Sequence, residues 1–307
     1  MANVAHLPSI VCVGTVALDM ILSTEHLPEE DSRVEASRVA LTGGGNAANA
    51  AIAIARLGLP VEFCGTVGDD RAGTFVIEEL LSEGVGTSLI DIRRGATTAQ
   101  SAIIITSSTG ARSIVAHPAP APPAIPRGFD ITHLDKAGWG AMPEGGIPDT
   151  RVSIDDGNPI SNLDVSLLEW YVPTAIVLRD RYGVTDAVEG ARLARAAGAA
   201  TVVATAGSTG SFGLDEGGLS FAPALPINPL STLGAGDVFH GALLAAIALG
   251  RALPDAIRFA NVTAALSCRA LDGRSGIPRL DEVDRVLAGL ESPVLSDVEV
   301  AERFRSL

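Results

Sequence analysis

Lysine is almost absent from this chain: of 22 basic residues only Lys136, in LDKAGWG, is a lysine. A nucleotide loop of the form GxxxxGK[ST] is therefore excluded, and any phosphate site must use backbone amides, helix ends or arginine. Positive charge is short altogether, since 36 acidic residues against 22 basic ones leave a net charge of −14 and no basic cluster. That argues against a nucleic-acid surface, which is built from clustered Lys and Arg. Cysteine is scarce as well. Cys12, Cys64 and Cys268 lie far apart in apolar surroundings, with no CxxC pair and no His at metal spacing, so they read as reduced, buried thiols and no metal ligand is assigned. No run of 18 apolar residues occurs, and MANVAHLPSIVCVG lacks a basic segment followed by a long apolar stretch. The expectation is a soluble, cytoplasmic protein.

What is present is apolar residue, 47% of 307, enough for one large α/β domain with a small appendage. Ile10 to Val13 is a short β-branched run ending at Gly14, suited to a buried strand. Residues 46–57 (NAANAAIAIARL) follow a triple glycine as an Ala-rich helix, VEFCGTVG is a second strand, and residues 70–82 a second helix. That alternation marks a parallel sheet with helical crossovers. Further strands are expected near 130–134, 151–155, 175–178 and 201–205, and helices over 235–249 and 254–270. Two stretches break the rhythm, 17–41 and 99–117, where apolar runs flank a Ser-Ser-Thr-Gly turn without helical periodicity. Both read as strands outside the main sheet, forming a small β-lid. The connection DKAGWGAMPEGGIPDT is too rich in Gly and Pro for a regular helix.

One helix start raises a chemical question. STLGAGDVFHGALLAAIALG, residues 231–250, is strongly apolar yet begins at Gly234-Ala235-Gly236 and carries Asp237 in its first turn. The first amides of a helix lack intrahelical partners and carry about half a positive charge, so an anion fits there without any lysine. A carboxylate one turn away is placed to take a proton from a hydroxyl while the backbone holds a transferring phosphoryl group. The other reading is that Asp237 complements the helix dipole and the glycines serve packing.

STLGAGDVFHGA resembles the C-terminal signature of the ribokinase-like PfkB carbohydrate kinases, and GGGNAANAAIAIARLG at 43–58 resembles their N-terminal signature. The likeness extends over VGDDRAG at 67–73 and AIRFANVTAALSCRALDGRSGIP at 256–278. It implies a three-layer α/β/α sandwich with a mostly parallel sheet and a β-lid, ATP with Mg²⁺ as phosphoryl donor, and a sugar hydroxyl as acceptor. By the same resemblance Asp237 is the base, and Gly234, Ala235 and Gly236 form the anion hole. Asp19, Gly44, Gly45, Asn46 and Asn49 hold the sugar, while Gly207, Gly210 and Asn261 lie at the nucleotide. Without the family Asp19 reads as a turn aspartate, Asn46 as a helix cap and TAGSTG as a β-turn.

Some positions depart from the pattern. Ser231 replaces the aspartate of DTxGAGD that commonly helps to hold potassium, which leaves a potassium site unassigned. Arg179-Asp180-Arg181-Tyr182 stands for the NxxE motif linked to magnesium and phosphate, and Arg179 is expected to meet phosphate directly. LPEEDSRVEASR and the RFAN…C segment resemble ketohexokinase and sulfofructose kinase more than ribokinase proper. Arg33 matches the basic residue of the sulfofructose branch, but Ala116 and a small residue ahead of Trp139 do not match its other two positions. The resulting expectation is an ATP-dependent kinase of a ketose or related small sugar, homodimeric through the lid. A nucleoside kinase on the same scaffold and a non-catalytic sugar or nucleotide sensor remain as alternatives.

Overall fold

Short β-branched and aromatic runs form the strands of this computed structural model, which describes residues 7–107, 111–291 and 295–305. In chain order they are β1 (Ile10–Val13), β2 (Ala17–Thr24), β3 (Arg38–Gly44), β4 (Val61–Gly68), β5 (Gly86–Arg93), β6 (Ala99–Thr106) and β7 (Arg112–His117). β8 (Ile131–Leu134), β9 (Arg151–Asp156), β10 (Trp170–Pro173), β11 (Thr201–Thr205), β12 (Ser211–Asp215) and β13 (Gly218–Ala222) follow. The helices are α1 (Asn46–Arg56), α2 (Arg71–Ser82), α3 (Lys136–Trp139), α4 (Ala175–Tyr182), α5 (Ala187–Ala196), α6 (Ala235–Ala248), α7 (Leu253–Ser267), α8 (Leu280–Ala288) and α9 (Asp297–Phe304).

The main sheet has the order β13-β12-β11-β10-β9-β8-β1-β4-β5. From β11 to β5 all pairings are parallel, and β12 and β13 add an antiparallel edge. β1 is buried along its whole length, as a parallel strand covered on both faces must be. On one face α1, α2, α6, α7 and α8 supply the core; on the other α4, α5 and α9 do. The result is an α/β/α sandwich of the expected class. α6 is apolar on every side because it lies between α1 and α7, with Val238 through Ala246 buried.

The two segments that broke the alternation form a separate sheet of order β3-β2-β6-β7. Ile21, Ile103 and Ile105 pack beneath it against Leu233 and Leu271, so this sheet rests on the chain that leads into α6. Residues 108–110 of the turn between β6 and β7, and His6, lie outside the described residues.

One expected strand is a helix. The run at 175–178 opens α4, and the strand is the preceding WYVP. Aromatic and β-branched residues favour the strand up to Pro173, and the Thr174 side chain then accepts from the Val177 amide at 3.2 Å and caps the helix. A short apolar run of this kind does not reveal its own period.

Candidate active site

Parallel α/β sheets present ligand sites beyond the carboxyl ends of their strands. Here β9 ends in Asp155 and Asp156, and Asp135 follows β8 directly. The ends of β1, β8 and β9 open into a cleft of about 450 Å³, lined in part by Thr15, Asn46, Asp135, Lys136, Asp155 and Asn158. Two of these are committed to structure. Asp135 accepts from the amides of Gly138 and Thr15 at 2.8 and 2.7 Å, and Lys136 Nζ donates to the Pro159 carbonyl at 3.0 Å.

The start of α6 leaves backbone donors open. Gly234 sits at φ +73°, a left-handed conformation that suits glycine, and turns the chain into α6. Ala235 N donates to Thr232 O at 3.3 Å, whereas among the described residues no acceptor reaches the amides of Gly236 and Asp237. A Cβ added at Gly236 would meet nothing within 4 Å, so that glycine faces open space. Asp237 lies beside these amides. Burial first, and the nearby Asp155 carboxylate second, push its pKa up to about 7, against the pull of Asn49 and His240.

Asn49, from the buried face of α1, donates from Nδ2 to Asp237 Oδ2 at 2.8 Å. One turn earlier, Asn46 Nδ2 donates to Asp155 Oδ2 at 3.2 Å, and Asp155 Oδ1 meets His240 Nε2 at 3.1 Å. Burial opposes the charge on Asp155, but the His240 imidazolium holds the carboxyl well below its usual range and is itself raised in return. His133, packed 5.5 Å from His240 by ring centroids, is driven down to about 3 by burial and by that charge. It is neutral.

Asp19 lies on the inner side of the small sheet, in register with Thr42 and Ser101. Burial raises its pKa, while Ser101 and Arg274 pull it back. Gly44 is required there: a Cβ would stand 1.9 Å from Asp19 Oδ2. Gly45 closes the same turn with φ +96°.

The fold therefore brings together Asp237, Gly234, Ala235, Gly236, Asn46 and Asn49, and places Gly44, with Asp19 against it, beside Arg274, which bonds Asn49, while Gly45 packs on Thr15 and Val16. Gly207 and Gly210 bound a tight turn after β11. Asn261, buried in α7, donates to the Ala222 and Pro223 carbonyls at 2.8 and 3.2 Å, and Gly210 packs against the same segment, so Asn261 supports the Gly207–Gly210 turn through residues 222–223.

Two of the expected residues lie on other elements. Arg33 stands exposed on the loop between β2 and β3, outside this group. Arg179 belongs to the last turn of α4, so the residue at the strand edge is Thr174 and not Arg179; Arg181 from the same stretch is occupied by buried Asp156 at 2.7 Å. An arginine's position cannot be read by spacing when the run before it is assigned to a strand instead of a helix. Ser231 is buried, and its Oγ accepts from the Leu233 amide at 3.1 Å.

Asp155, Asp135 and Arg274 join this cluster without a signature motif around them in the sequence. The aspartates at the ends of the runs ITHLD and VSIDD were the available signal, because strand ends carry ligand sites in this architecture. Arg274, in a Gly-rich turn, gave none.

The model of the PfkB family of carbohydrate kinases matches residues 7–136 and 178–280. The chain belongs to that family. It is an ATP-dependent carbohydrate kinase. Among curated relatives, this PfkB kinase is 26% identical to ribokinase of Bacillus subtilis over 304 residues, covering 91% of this chain and 99% of that one. It is 27% identical to ketohexokinase of Mus musculus over 296 residues, covering 87% and 98%. The structure of Arabidopsis thaliana ribokinase complexed with ribose and ATP superposes with a TM-score of 0.75 at 24% identity, covering 91% of this kinase and 98% of that chain.

Proposed function

We propose that this kinase transfers the γ-phosphoryl group of ATP to a hydroxyl of a small ketose or related sugar, with Asp237 as general base. The observation that carries this reading is the Asp237 carboxyl, held by Asn49 Nδ2 at 2.8 Å and set beside the open amides of Gly236 and Asp237. Asp237 takes the hydroxyl proton, the freed oxygen attacks phosphorus, and the bond to ADP breaks. The α6 amides meet the charge on the phosphoryl oxygens throughout. Asp19, Asn46 and Asn49 orient the acceptor beneath the small sheet, which serves as the lid, and the Gly207–Gly210 turn borders the nucleotide.

Magnesium neutralises phosphate charge when it accompanies ATP. Among the described residues no group of three or more His, Cys, Asp or Glu side chains could hold a metal ion, so no protein ligand is assigned to it and no step is drawn through it.

A hydroxyl-rich acceptor suits the inner face of the lid better than a nucleobase does. Its strands contain no Phe, Tyr or Trp, and Asp19, Thr42 and Ser101 stand side by side there. The outer face is apolar: Leu41, Met20, Ala102 and Val115 form one row across four strands, and Leu41, Met20 and Val115 are exposed. We place a second copy of the chain on that face, with sedimentation equilibrium as the check.

The functional test is ADP release from Mg-ATP, with and without potassium, over fructose, tagatose, ribose, sulfofructose, keto-deoxy sugar acids and adenosine. Turnover on one sugar that disappears in Asp237→Asn supports the reading. Thermal stabilisation by sugar or nucleotide with no ADP formed would point to a sensor instead.

A further inference from the structure

Arg274 is only 4% exposed, in the turn Asp272-Gly273-Arg274-Ser275 between α7 and α8. Each nitrogen of its guanidinium has a separate partner: Nε donates to Asn49 Oδ1 at 2.8 Å, Nη1 to Glu79 Oε2 at 3.0 Å, and Nη2 to the Gly44 carbonyl at 3.0 Å. The turn is itself held. Asp272 Oδ1 accepts from the Arg274 amide at 2.8 Å, and Arg56, paired with Glu83, donates to the Arg274 carbonyl at 2.7 Å.

A guanidinium has donors and no acceptor, so the atom that Asn49 turns towards it must be Oδ1. Nδ2 is then left to face Asp237. We propose that Arg274 is a positioning residue for the reaction assigned above to Asp237, acting through Asn49: it locks the Asn49 amide so that an N–H, and never the carbonyl, meets the carboxylate.

The inference rests on that assignment of Asp237. An amide held this way favours the ionised base, because it can only donate; an amide free to turn would accept from the protonated acid and favour that form instead. The other charged groups facing Asp237 are Asp155 from β9 and Asp135 after β8, which oppose its ionisation, and His240 on its own helix, which favours it. None of the three is among the hydrogen-bond partners of Arg274.

The test uses the full chain with Arg274→Lys, which keeps the charge but offers one nitrogen in place of three, and the double variant Arg274→Met with Glu79→Met, which removes the buried guanidinium together with its half-buried carboxylate partner. The Asp237 carboxyl is titrated by carbon NMR without ligands, identified by its loss in Asp237→Asn, and the pH profile of kcat/KM is recorded alongside. In folded variants the carboxyl midpoint should rise by about one unit, a tenfold gain in proton affinity, with the acid limb of kcat/KM moving by the same amount. In an Asn49→Ala background, Arg274→Lys should move nothing further. In the wild-type protein the Asn49 side-chain amide protons should titrate together with Asp237, which tests the contact even if both Arg274 variants fail to fold.

An unchanged midpoint in folded Arg274→Lys, or a loss of kcat/KM equal at every pH, would overturn the proposal, as would Asn49 protons indifferent to Asp237. Absence of kinase turnover in the wild type would instead overturn the assigned reaction, and the carboxyl titration would still judge Arg274.

Discussion

His240 Nε2 stands 3.1 Å from Asp155 Oδ1, with both side chains almost wholly buried. Each stabilises the charge on the other against burial, and between them they set the field at Asp237, three residues along α6. Breaking a buried ion pair costs about 3 to 5 kcal/mol, because the surviving charge is left without a partner. Asp155→Asn should therefore lower unfolding free energy in urea at pH 7 by an amount in that range. A loss within about 0.5 kcal/mol, typical of surface changes, would mean that the pair is not ionised.

As the proposed base, Asp237 should impose a pH dependence on turnover. With its pKa pushed up to about 7, Asp237 is protonated and inactive below neutrality, so kcat/KM should climb through pH 7 and level above it. Replacing it by Asn should cut turnover by roughly 10² to 10⁴ and abolish that limb. A limb surviving in Asp237→Asn would belong to another group.

Stability should change in the opposite sense. A carboxyl whose folded pKa lies above its unfolded value binds more protons in the native state, so its contribution falls as pH rises from the ordinary carboxylate range to about 7. Asp237→Asn, which has no charge to bury, should melt above the wild type at pH 8, and the gap should narrow at pH 5. Calorimetry at the two values decides it; a gap independent of pH would mean that Asp237 titrates normally.

Two glycines two positions apart should respond differently to alanine. At Gly234 the new Cβ would lie 2.9 Å from Gly273 Cα at φ +73°, and strain of this kind costs about 1 to 3 kcal/mol, visible as a lowered Tm. At Gly236 the Cβ enters open space, so Tm should hold while kcat falls, because the methyl occupies the approach to the amides. Retained kcat in Gly236→Ala would move the phosphoryl group elsewhere.

Arg33 is exposed, and Arg33→Ala should leave KM for the accepted sugar within about twofold, the scale of surface substitutions. A large rise in KM would show that the loop between β2 and β3 closes over the acceptor.

Much of the architecture was legible because its signals are local. Alternating apolar periods outline the parallel sheet, the unpatterned apolar runs at 17–41 and 99–117 become the small sheet, and Gly234 to Asp237 opens α6 as their chemistry predicts. The misplaced strand at 175–178 shows the limit. AIVL fits either period, and in the structure it opens a helix capped by the Thr174 side chain.

The sequence by itself determined that this kinase has no lysine-bearing nucleotide loop and that a glycine-opened helix start carries a carboxylate in its first turn, since residue type and spacing suffice for that. Only the tertiary structure decided what the carboxylate feels. Asn49 reaches Asp237 across 188 residues, and Arg274 reaches Asn49 across 225. Asp155 and His240 meet only because β9 ends beside α6. Proton affinity depends on burial and on neighbours within a few ångströms, and strand order, which no local stretch encodes, chooses those neighbours.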